Sequence, residues 1–526
     1  MSIAIERILR PVAGALLLAF ASLPPVLAET NPAAGTDLIR SNCGGCHQEH
    51  SGKFDRISSI RKTPEGWVMT LFRMRQVHGL TMDDNVRMSI VRYLSDTQGL
   101  APAESAPARF ALEQRPNVQD LNMGPEINVV CGRCHSLARV ALQRRDEDEW
   151  RKLTHTHVGQ WPSTEYQQNG RDRHWWDIAS SKLPPQLAAL YPFSTNAWVE
   201  WQKHRIADLA GEWIIVGRVP GGRDFYGAGR IEHGDDGTYS ATYRLHDVDG
   251  TELTGESKAI VYTGYEWRGS ANVGQRARRE VYAVSGDGNR IEGRWFYADH
   301  PEDGGEWLAV KNGGSAQILA VLPQSMRAGS IMPVTVVGIG IGGTGTVSFG
   351  DGVRASNVKQ DANFVRADLS IAADASPGLR TVAAGGATGH LAVYRQIDQI
   401  TVEPAYAIAR LGGGRVEPVS AQFRALAFTR LAGGELLPLG PIDSAWSTKP
   451  FDAEAARTED QKYAGYIDRR GRFLPGPAGP NPQREFSGDN VGNLTVVAEA
   501  RDGDRVVTGR SHLIVTVQRW NSPPIY

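Results

Sequence analysis

The chain has 526 residues, of which 41% are hydrophobic and 22% charged, with a formal net charge of -1. This length suits about three or four domains, and the near-neutral charge lacks the basic excess of a nucleic-acid-binding protein, so no nucleic-acid partner is expected. Only four cysteines are present, which excludes a disulfide-dense scaffold.

The N-terminal segment has the pattern of a secretory signal peptide. A basic stretch with Arg7 and Arg10 precedes a short apolar run, and Val26 to Ala28 offer modest side chains at the positions that a signal peptidase inspects. We therefore predict a cleavable signal peptide at residues 1–28 and export to the periplasm. The apolar run is too short for an uncleaved anchor, and no later stretch approaches the roughly 20 apolar residues of a membrane helix, so no membrane span is expected.

All four cysteines lie in two C-x-x-C-H motifs, Cys43-Gly44-Gly45-Cys46-His47 and Cys131-Gly132-Arg133-Cys134-His135. C-x-x-C-H is the attachment signature of c-type haem, since two thiols reach the two vinyl groups of one porphyrin and the histidine reaches the iron. A redox dithiol, two disulfides or a four-cysteine zinc site would also use cysteines, but none requires a histidine after both pairs. The motifs therefore predict two covalently bound haem c groups, with His47 and His135 as iron ligands.

An internal repeat follows the two motifs. Residues 61–67 and 144–150 each contain two basic residues, a polar or acidic helix start and a tryptophan. Thr63 followed by Pro64 is typical of a helix N-terminus, and Asp146 can cap the second helix in the same way. The repeat predicts two small cytochrome lobes, about 29–100 and 109–207.

The repeat also predicts the sixth iron ligands. Met74 and His157 each lie seven residues, or about two helical turns, after the repeated tryptophan. Methionine sulfur and histidine nitrogen are both usual axial ligands of haem c, so we expect Met74 on the first haem and His157 on the second. The competing residues near the two motifs are Met69, His78, Met82, Met88, Met123, His155 and His174.

Past residue 208 the pattern changes to apolar–polar alternation with many Asp-Gly turns, which is typical of antiparallel strands. We predict three all-β domains: a barrel-like domain at 208–314 and immunoglobulin-like sandwiches at 315–398 and 399–526. No metal cluster, phosphate loop or nucleophile motif is found in them. The expected fold class is multidomain, with an N-terminal all-α dihaem cytochrome c domain at 29–207 followed by these three β domains.

This layout resembles the α subunit of quinohaemoprotein amine dehydrogenase; its specific motifs are Cys43–His47, Cys131–His135 and the repeated tryptophan segments. The resemblance implies a heterotrimer in which a small γ subunit oxidises primary amines at a cysteine tryptophylquinone and a β-propeller subunit completes the assembly. The α subunit would pass electrons to a periplasmic cytochrome c or a copper protein.

The residues agree with this resemblance in one respect: haem attachment uses every cysteine, so this chain cannot itself form a cysteine-linked quinone. We therefore expect an electron-transfer subunit with no catalytic residue of its own. The alternatives are a haem subunit of another periplasmic dehydrogenase, a stand-alone dihaem carrier, and a dihaem peroxidase, which would need an open axial position.

Overall fold

The computed structural model describes most of the chain. The described residues are 32–110, 120–132, 135–160, 173–204, 207–247, 250–343, 345–413, 416–485 and 489–517. The predicted signal peptide and Cys134 therefore lie outside the described residues. Strands make up 44% of the chain and helices 23%, so the protein is mostly β. In the described ranges, no helix is both long and apolar enough to cross a membrane.

The N-terminal region, residues 32–204, combines short helices with two small sheets. Its helices are α1 (Pro32–Cys43), α2 (Pro64–His78), α3 (Asp84–Gln98), α4 (Pro102–Ser105), α5 (Pro125–Cys131), α6 (Ala138–Ala141), α7 (Glu147–Gln160), α8 (Trp175–Asp177), α9 (Leu183–Leu190) and α10 (Asn196–Trp201). Its strands are β1 (Glu49–His50), β2 (Lys53–Phe54), β3 (Ile60–Lys62) and β4 (Gln143–Arg145). A π-helical turn joins α8 to α9.

The prediction of an N-terminal all-α dihaem cytochrome c domain is wrong. β1 pairs with β2, and β3 pairs with β4, both antiparallel. The segments that precede α2 and α7 are extended because each satisfies its backbone hydrogen bonds on the other. This pairing joins residues that lie far apart in the sequence, so the local helical pattern gave no sign of it. The chain is a mostly β protein whose N-terminal region is mixed.

The helices that follow the repeated segments begin at the predicted residues. The Thr63 side chain accepts a hydrogen bond from the Gly66 N–H and Pro64 opens α2, and the Asp146 carboxylate accepts one from the Glu149 N–H, 2.8 Å away. Both predicted caps are confirmed. α2 ends at Gly79, whose φ of 69° is left-handed and favours glycine.

The first lobe has one apolar core. Helix α3 buries Ile90, Val91 and Leu94 against Ile39 of α1 and Trp67 of α2. These residues recur at helical spacing, and burying each one stabilises the fold by about 1.5–3 kcal/mol. The core fixes α1, and therefore the first cysteine motif at its C-terminal end, relative to α2.

The eight strands after the N-terminal region form a closed antiparallel barrel. They are β5 (Gly211–Arg218), β6 (Asp224–His233), β7 (Thr238–Asp247), β8 (Glu252–Tyr262), β9 (Glu266–Val273), β10 (Arg276–Val284), β11 (Arg290–Tyr297) and β12 (Gly304–Lys311). Each strand pairs with the next, and β12 returns to β5 with Lys311 opposite Trp213. Large buried side chains such as Trp267, Tyr282 and Trp295 fill the interior, so the barrel is a packed core.

The next region has two sheets around its own core. Its strands are β13 (Gln317–Leu322), β14 (Ser325–Arg327), β15 (Ile331–Ile339), β16 (Val353–Gln360), β17 (Phe364–Ile371), β18 (Gly378–Ala384) and β19 (Ala387–Tyr394). One sheet has the order β13-β15-β17-β16 and the other β14-β19-β18. Val336, Leu369 and Leu391 are fully buried in the core.

The C-terminal region has three sheets and two short helices. Its strands are β20 (Gln399–Glu403), β21 (Tyr406–Arg410), β22 (Ala421–Gln422), β23 (Arg424–Arg430), β24 (Leu436–Pro441), β25 (Ala445–Pro450), β26 (Gly465–Ile467), β27 (Arg472–Pro475), β28 (Gly492–Asp502) and β29 (Arg505–Thr516); its helices are α11 (Ala453–Arg457) and α12 (Asp460–Tyr463). The sheet orders are β20-β23-β24, β21-β29-β28-β25 and β22-β27-β26.

Buried polar contacts attach the barrel to the N-terminal region. The hydroxyls of Tyr265 and Ser105 lie 2.7 Å apart, and the Thr263 N–H donates to the Asp96 carboxylate at 2.7 Å. Because these groups are removed from water, they stabilise the fold only when both partners are present. The barrel therefore supports α3 and α4, and α3 in turn packs against α1, which leads into the first cysteine motif.

Candidate functional site

The first cysteine motif forms a tight turn at the end of α1. Cys43 is buried and Cys46 is exposed, and both thiols are free. The His47 N–H donates to the Cys43 carbonyl at 2.9 Å. His47 Nδ1 lies 2.8 Å from the Asp55 carbonyl oxygen and must donate to it, which leaves the ring lone pair on Nε2. A ligating histidine usually holds its other nitrogen in this way.

The first glycine of each motif lies close to the carbonyl oxygen four residues before it. A Cβ on Gly44 would lie 2.5 Å from the Arg40 carbonyl oxygen, and one on Gly132 would lie 2.6 Å from the Asn128 carbonyl oxygen. Each glycine N–H also donates to that same carbonyl. The two motifs therefore share this backbone contact at the glycine that follows their first cysteine.

The second cysteine motif begins at Cys131, the last residue of α5. Removal from water raises the pKa of the Cys131 thiol to about 11 and lowers the pKa of His135 to about 4. A thiol with a raised pKa lacks the thiolate character of a redox dithiol, so the structure does not favour that alternative. His135 is neutral at pH 7, the state in which imidazole binds a metal. Its Nδ1 donates to the Ser136 carbonyl at 2.8 Å.

The structure brings His135 and His157 together. Their ring centroids are 6.4 Å apart and the rings are tilted by 41°. His157 Nδ1 donates to the Leu153 carbonyl at 2.8 Å, so both histidines have the tautomer with the lone pair on Nε2. Metal–imidazole nitrogen distances of about 2.0 Å put the centroids of two imidazoles on opposite sides of one iron about 6 Å apart. The observed separation fits two axial ligands of one haem iron.

The competing residues of the second lobe have other contacts. His155 is exposed and meets Trp176 edge to face, with centroids 5.0 Å apart. Met123 packs against the apolar core of the lobe, and His174 precedes α8. The described structure therefore favours His157 among these candidates, as a prediction of ligation.

The first lobe contains several candidates for the sixth iron ligand. Met74 is half-buried on α2, and its carbonyl accepts hydrogen bonds from the N–H groups of Gly79 and Leu80. Met82 and Met88 pack against the core that contains Cys43, so they are its strongest rivals. His78 is exposed, with Nε2 3.1 Å from the Gln160 side-chain nitrogen. Met74 stays a prediction from the repeat.

One carboxylate joins the two repeats. Arg61 lies opposite Arg144 in the β3–β4 pair, and Glu104 binds both: two Arg61 nitrogens at 2.9 Å and Arg144 Nε at 3.1 Å. The three side chains are 2%, 6% and 6% exposed. Burial acts to raise the pKa of Glu104, but the hydrogen bond and charge of Arg61 outweigh it and lower the pKa.

The basic pairs 61–62 and 144–145 were predicted only as part of the repeat, with no role of their own. The repeat itself could have indicated such a role, because it has cations at equivalent positions before both helices. Glu104 lies in a segment of small residues and carries no such signal. Among the described residues, no group of three or more His, Cys, Asp or Glu side chains is arranged to hold a metal ion.

Comparisons with solved structures show only weak likeness. A redesigned beta barrel, mFAP1, bound to DFHBI is 15% identical, with 20% of this chain and 94% of that chain covered and a TM-score of 0.18. A SusE-like surface located polysaccharide binding protein from Bacteroides thetaiotaomicron is 10% identical, with 55% of this chain and 52% of that chain covered and a TM-score of 0.11. At these TM-scores neither likeness bears on function. No curated protein matches the chain.

Four family models match almost the whole chain. The model described as quinohemoprotein amine dehydrogenase A, alpha subunit, haem binding matches residues 33–198. The models of alpha subunit domains II, III and IV match residues 207–312, 315–395 and 400–525. The chain therefore belongs to the family of quinohemoprotein amine dehydrogenase alpha subunits, which makes it a haem-binding subunit of an oxidoreductase that has other subunits.

Proposed function

We propose that this chain is the dihaem electron-transfer subunit of a periplasmic amine dehydrogenase. Two c-type haems are attached, one at Cys43 and Cys46 and the other at Cys131 and Cys134. The observation that carries the proposal is the pair of imidazoles of His135 and His157, 6.4 Å apart with both Nδ1 atoms held by backbone carbonyls. Two histidines would hold this iron between them, an arrangement suited to relaying electrons and not to a peroxidase reaction.

The bound haems would supply reversible one-electron chemistry at iron. The residues of this chain fix where and how that chemistry occurs. The cysteines tether each porphyrin, and the carbonyls of Asp55, Ser136 and Leu153 orient the histidines. His47 with Met74 and His135 with His157 are the proposed axial pairs.

The amine is oxidised on another subunit in this proposal. A small γ subunit carries the cysteine tryptophylquinone that primary amines reduce, a β-propeller subunit completes the heterotrimer, and a cytochrome c or copper protein accepts the electrons. Two features support this division: the family match to an alpha subunit, and the presence of all four cysteines in haem motifs, which leaves none for a quinone.

Mass spectrometry and haem analysis of the complex purified from its natural source would test the proposal. We expect this chain to begin near Glu29 and to carry two covalent haems, and a small partner subunit to carry a modified tryptophan. A chain that carries no covalent haem, with free or paired cysteines, would overturn it. A lone dihaem chain without partners would favour the stand-alone carrier.

A further inference from the structure

Buried cations gather where the two repeats meet. Lys62 is 5% exposed and Arg145 is 2% exposed, and the two occupy equivalent positions at the ends of β3 and β4. Arg73 of α2 is half-buried beside them, and Arg56 is exposed at the edge. We call Arg56, Lys62, Arg73 and Arg145 the cation cluster; each lies near enough to repel another electrostatically.

Within the described residues, Glu149 forms ion pairs with two members of the cation cluster. Glu149 lies 3.0 Å from Arg56 Nε and 3.5 Å from Arg145 Nη1, and it also binds Lys152. It is therefore shared by three cations. Asp146 and Asp148 act on Arg145 and Arg56 only through their charge, so no carboxylate of the described residues pairs with Lys62 or Arg73.

Lys62 and Arg73 have no ion-pair partner among the described residues. Lys62 Nζ donates to the Thr70 hydroxyl at 2.6 Å and lies 5.5 Å from the centre of the Trp67 ring. These contacts are weak compared with the cost of burying an unpaired ammonium group. Burial, with the neighbouring Arg145, holds the pKa of Lys62 well below its usual range. The positions of Lys62 and Arg73 call for an anion.

A buried hydrogen-bond donor, the indole N–H of Trp150, lies next to the cation cluster. The Arg145 guanidinium lies 5.8 Å from the centre of the Trp150 ring, and Trp150 is 2% exposed in the core that Cys131 and Leu153 border. Its indole N–H has no hydrogen-bond partner in the described part of the chain. The equivalent Trp67 N–H, in contrast, donates to the Gln98 carbonyl at 3.3 Å. A buried N–H without an acceptor is rare in a complete structure.

We propose that the cation cluster and the Trp150 N–H hold the propionate carboxylates of the haem whose iron lies between His135 and His157. The inference rests on the proposed function. Guanidinium, ammonium and indole groups are the donors that a carboxylate needs, and two propionates would offset the charges of Lys62 and Arg73. The acidic edge of this haem would then face the first lobe, on the side of the haem attached at Cys43 and Cys46.

Arg73→Gln and Arg75→Gln in the full complex form a matched pair. Both arginines adjoin Met74 on α2, but Arg75 is exposed and pairs with Asp84 at 3.7 Å. We expect Arg73→Gln to shift the propionate bending bands in the resonance Raman spectrum. We also expect it to lower the midpoint potential of the bis-histidine haem, since removing a nearby cation favours the oxidised iron. About a tenfold change in the reduction equilibrium is expected, or about 59 mV for one electron.

Arg75→Gln should have the propionate bands and the midpoint potential of the wild type. Arg73→Lys keeps the positive charge, so its bands and potential should lie closer to the wild type than those of Arg73→Gln. Unchanged bands in Arg73→Gln would overturn the inference even if the potential falls, because the cation would then act only through space. A wild-type potential that responds to exchange of chloride for phosphate would identify a free anion in the cluster and also overturn it. The proposed function fails separately, if haem analysis finds no covalent haem on the chain.

Discussion

At the scale of single residues, hydrogen bonds to backbone carbonyls fix the tautomer of three histidines and leave Nε2 able to bind a metal. His47, His135 and His157 each commit Nδ1 to a carbonyl oxygen 2.8 Å away. A fixed tautomer and ring orientation favour ligation through Nε2. His155, only two residues from His157, has none of these features and is exposed.

His157→Met should replace a bis-histidine haem with a histidine–methionine haem. Methionine ligation raises the reduction potential, so one of the two potentials should rise and the bis-histidine signal in magnetic spectroscopy should disappear. His155→Met is the matched control and should leave both unchanged. Loss of the bis-histidine signal in His155→Met alone would show that the ligand has been assigned to the wrong residue.

Glu104→Gln should leave Arg61 and Arg144 buried without their counter-charge. Removing one partner of a buried ion pair costs about 3–5 kcal/mol, to be measured by denaturant unfolding of the purified holoprotein. Glu200→Gln is the control, because its pair with Lys203 is 67% and 64% exposed and contributes at most about 1 kcal/mol. Equal stability of the two variants would contradict the role of Glu104.

The pH dependence of stability follows from the same residue. The folded protein lowers the pKa of Glu104 below its unfolded value, which is about 4.3. The stabilisation is therefore complete above about pH 4.3 and is lost as the pH falls through the folded pKa. Glu104→Gln should flatten the acid side of the stability curve, while Glu200→Gln should retain the wild-type slope.

At the scale of elements, the first glycine of each cysteine motif lies against the carbonyl oxygen four residues before it. Gly44→Ala would place a Cβ 2.5 Å from the Arg40 carbonyl oxygen, whereas a Cβ on Gly45 meets no atom within 4 Å. Relieving such a clash costs about 1–3 kcal/mol. We expect haem analysis to find fewer than two haems per chain in Gly44→Ala and two in Gly45→Ala. The same haem content in both variants would rule out this role for Gly44.

Local sequence signals predicted much of this detail but not the way the elements combine. The helix caps at Thr63 and Asp146 could be predicted because a cap and its partner lie only three positions apart in the sequence. The β3–β4 pair could not be predicted, since its residues carry a basic pair with no strand pattern and each strand exists only because of the other. Glu104 was missed for a similar reason: its partners Arg61 and Arg144 are each about 40 residues away.

At the scale of the whole molecule, the barrel and the N-terminal region share buried contacts. Tyr265 is fully buried, and its hydroxyl bonds Ser105 of α4 at 2.7 Å. The family match spans both regions and the two β regions that follow. The N-terminal region therefore depends on the barrel for part of its stability.

Tyr265→Phe should weaken this junction by about 1 kcal/mol, the usual net contribution of a hydrogen bond. Haem absorbance and tryptophan fluorescence should report one shared unfolding transition in the wild type, at a lower midpoint in the variant. Tyr406→Phe, at a residue that is 52% exposed, should leave the midpoint unchanged. Two separate transitions in the wild type would show that the regions unfold independently.

The pairing of β3 with β4 also constrains how the protein is made. Residues 60–62 find their strand partner only at residues 143–145, so a nascent chain that has just completed its first cysteine motif cannot yet close the fold around it. If haem is attached as proposed, the first porphyrin is joined either to an unfinished lobe or only after residues 143–145 have been synthesised. Completion of the first lobe is thereby tied to synthesis of the segment that follows the second cysteine motif.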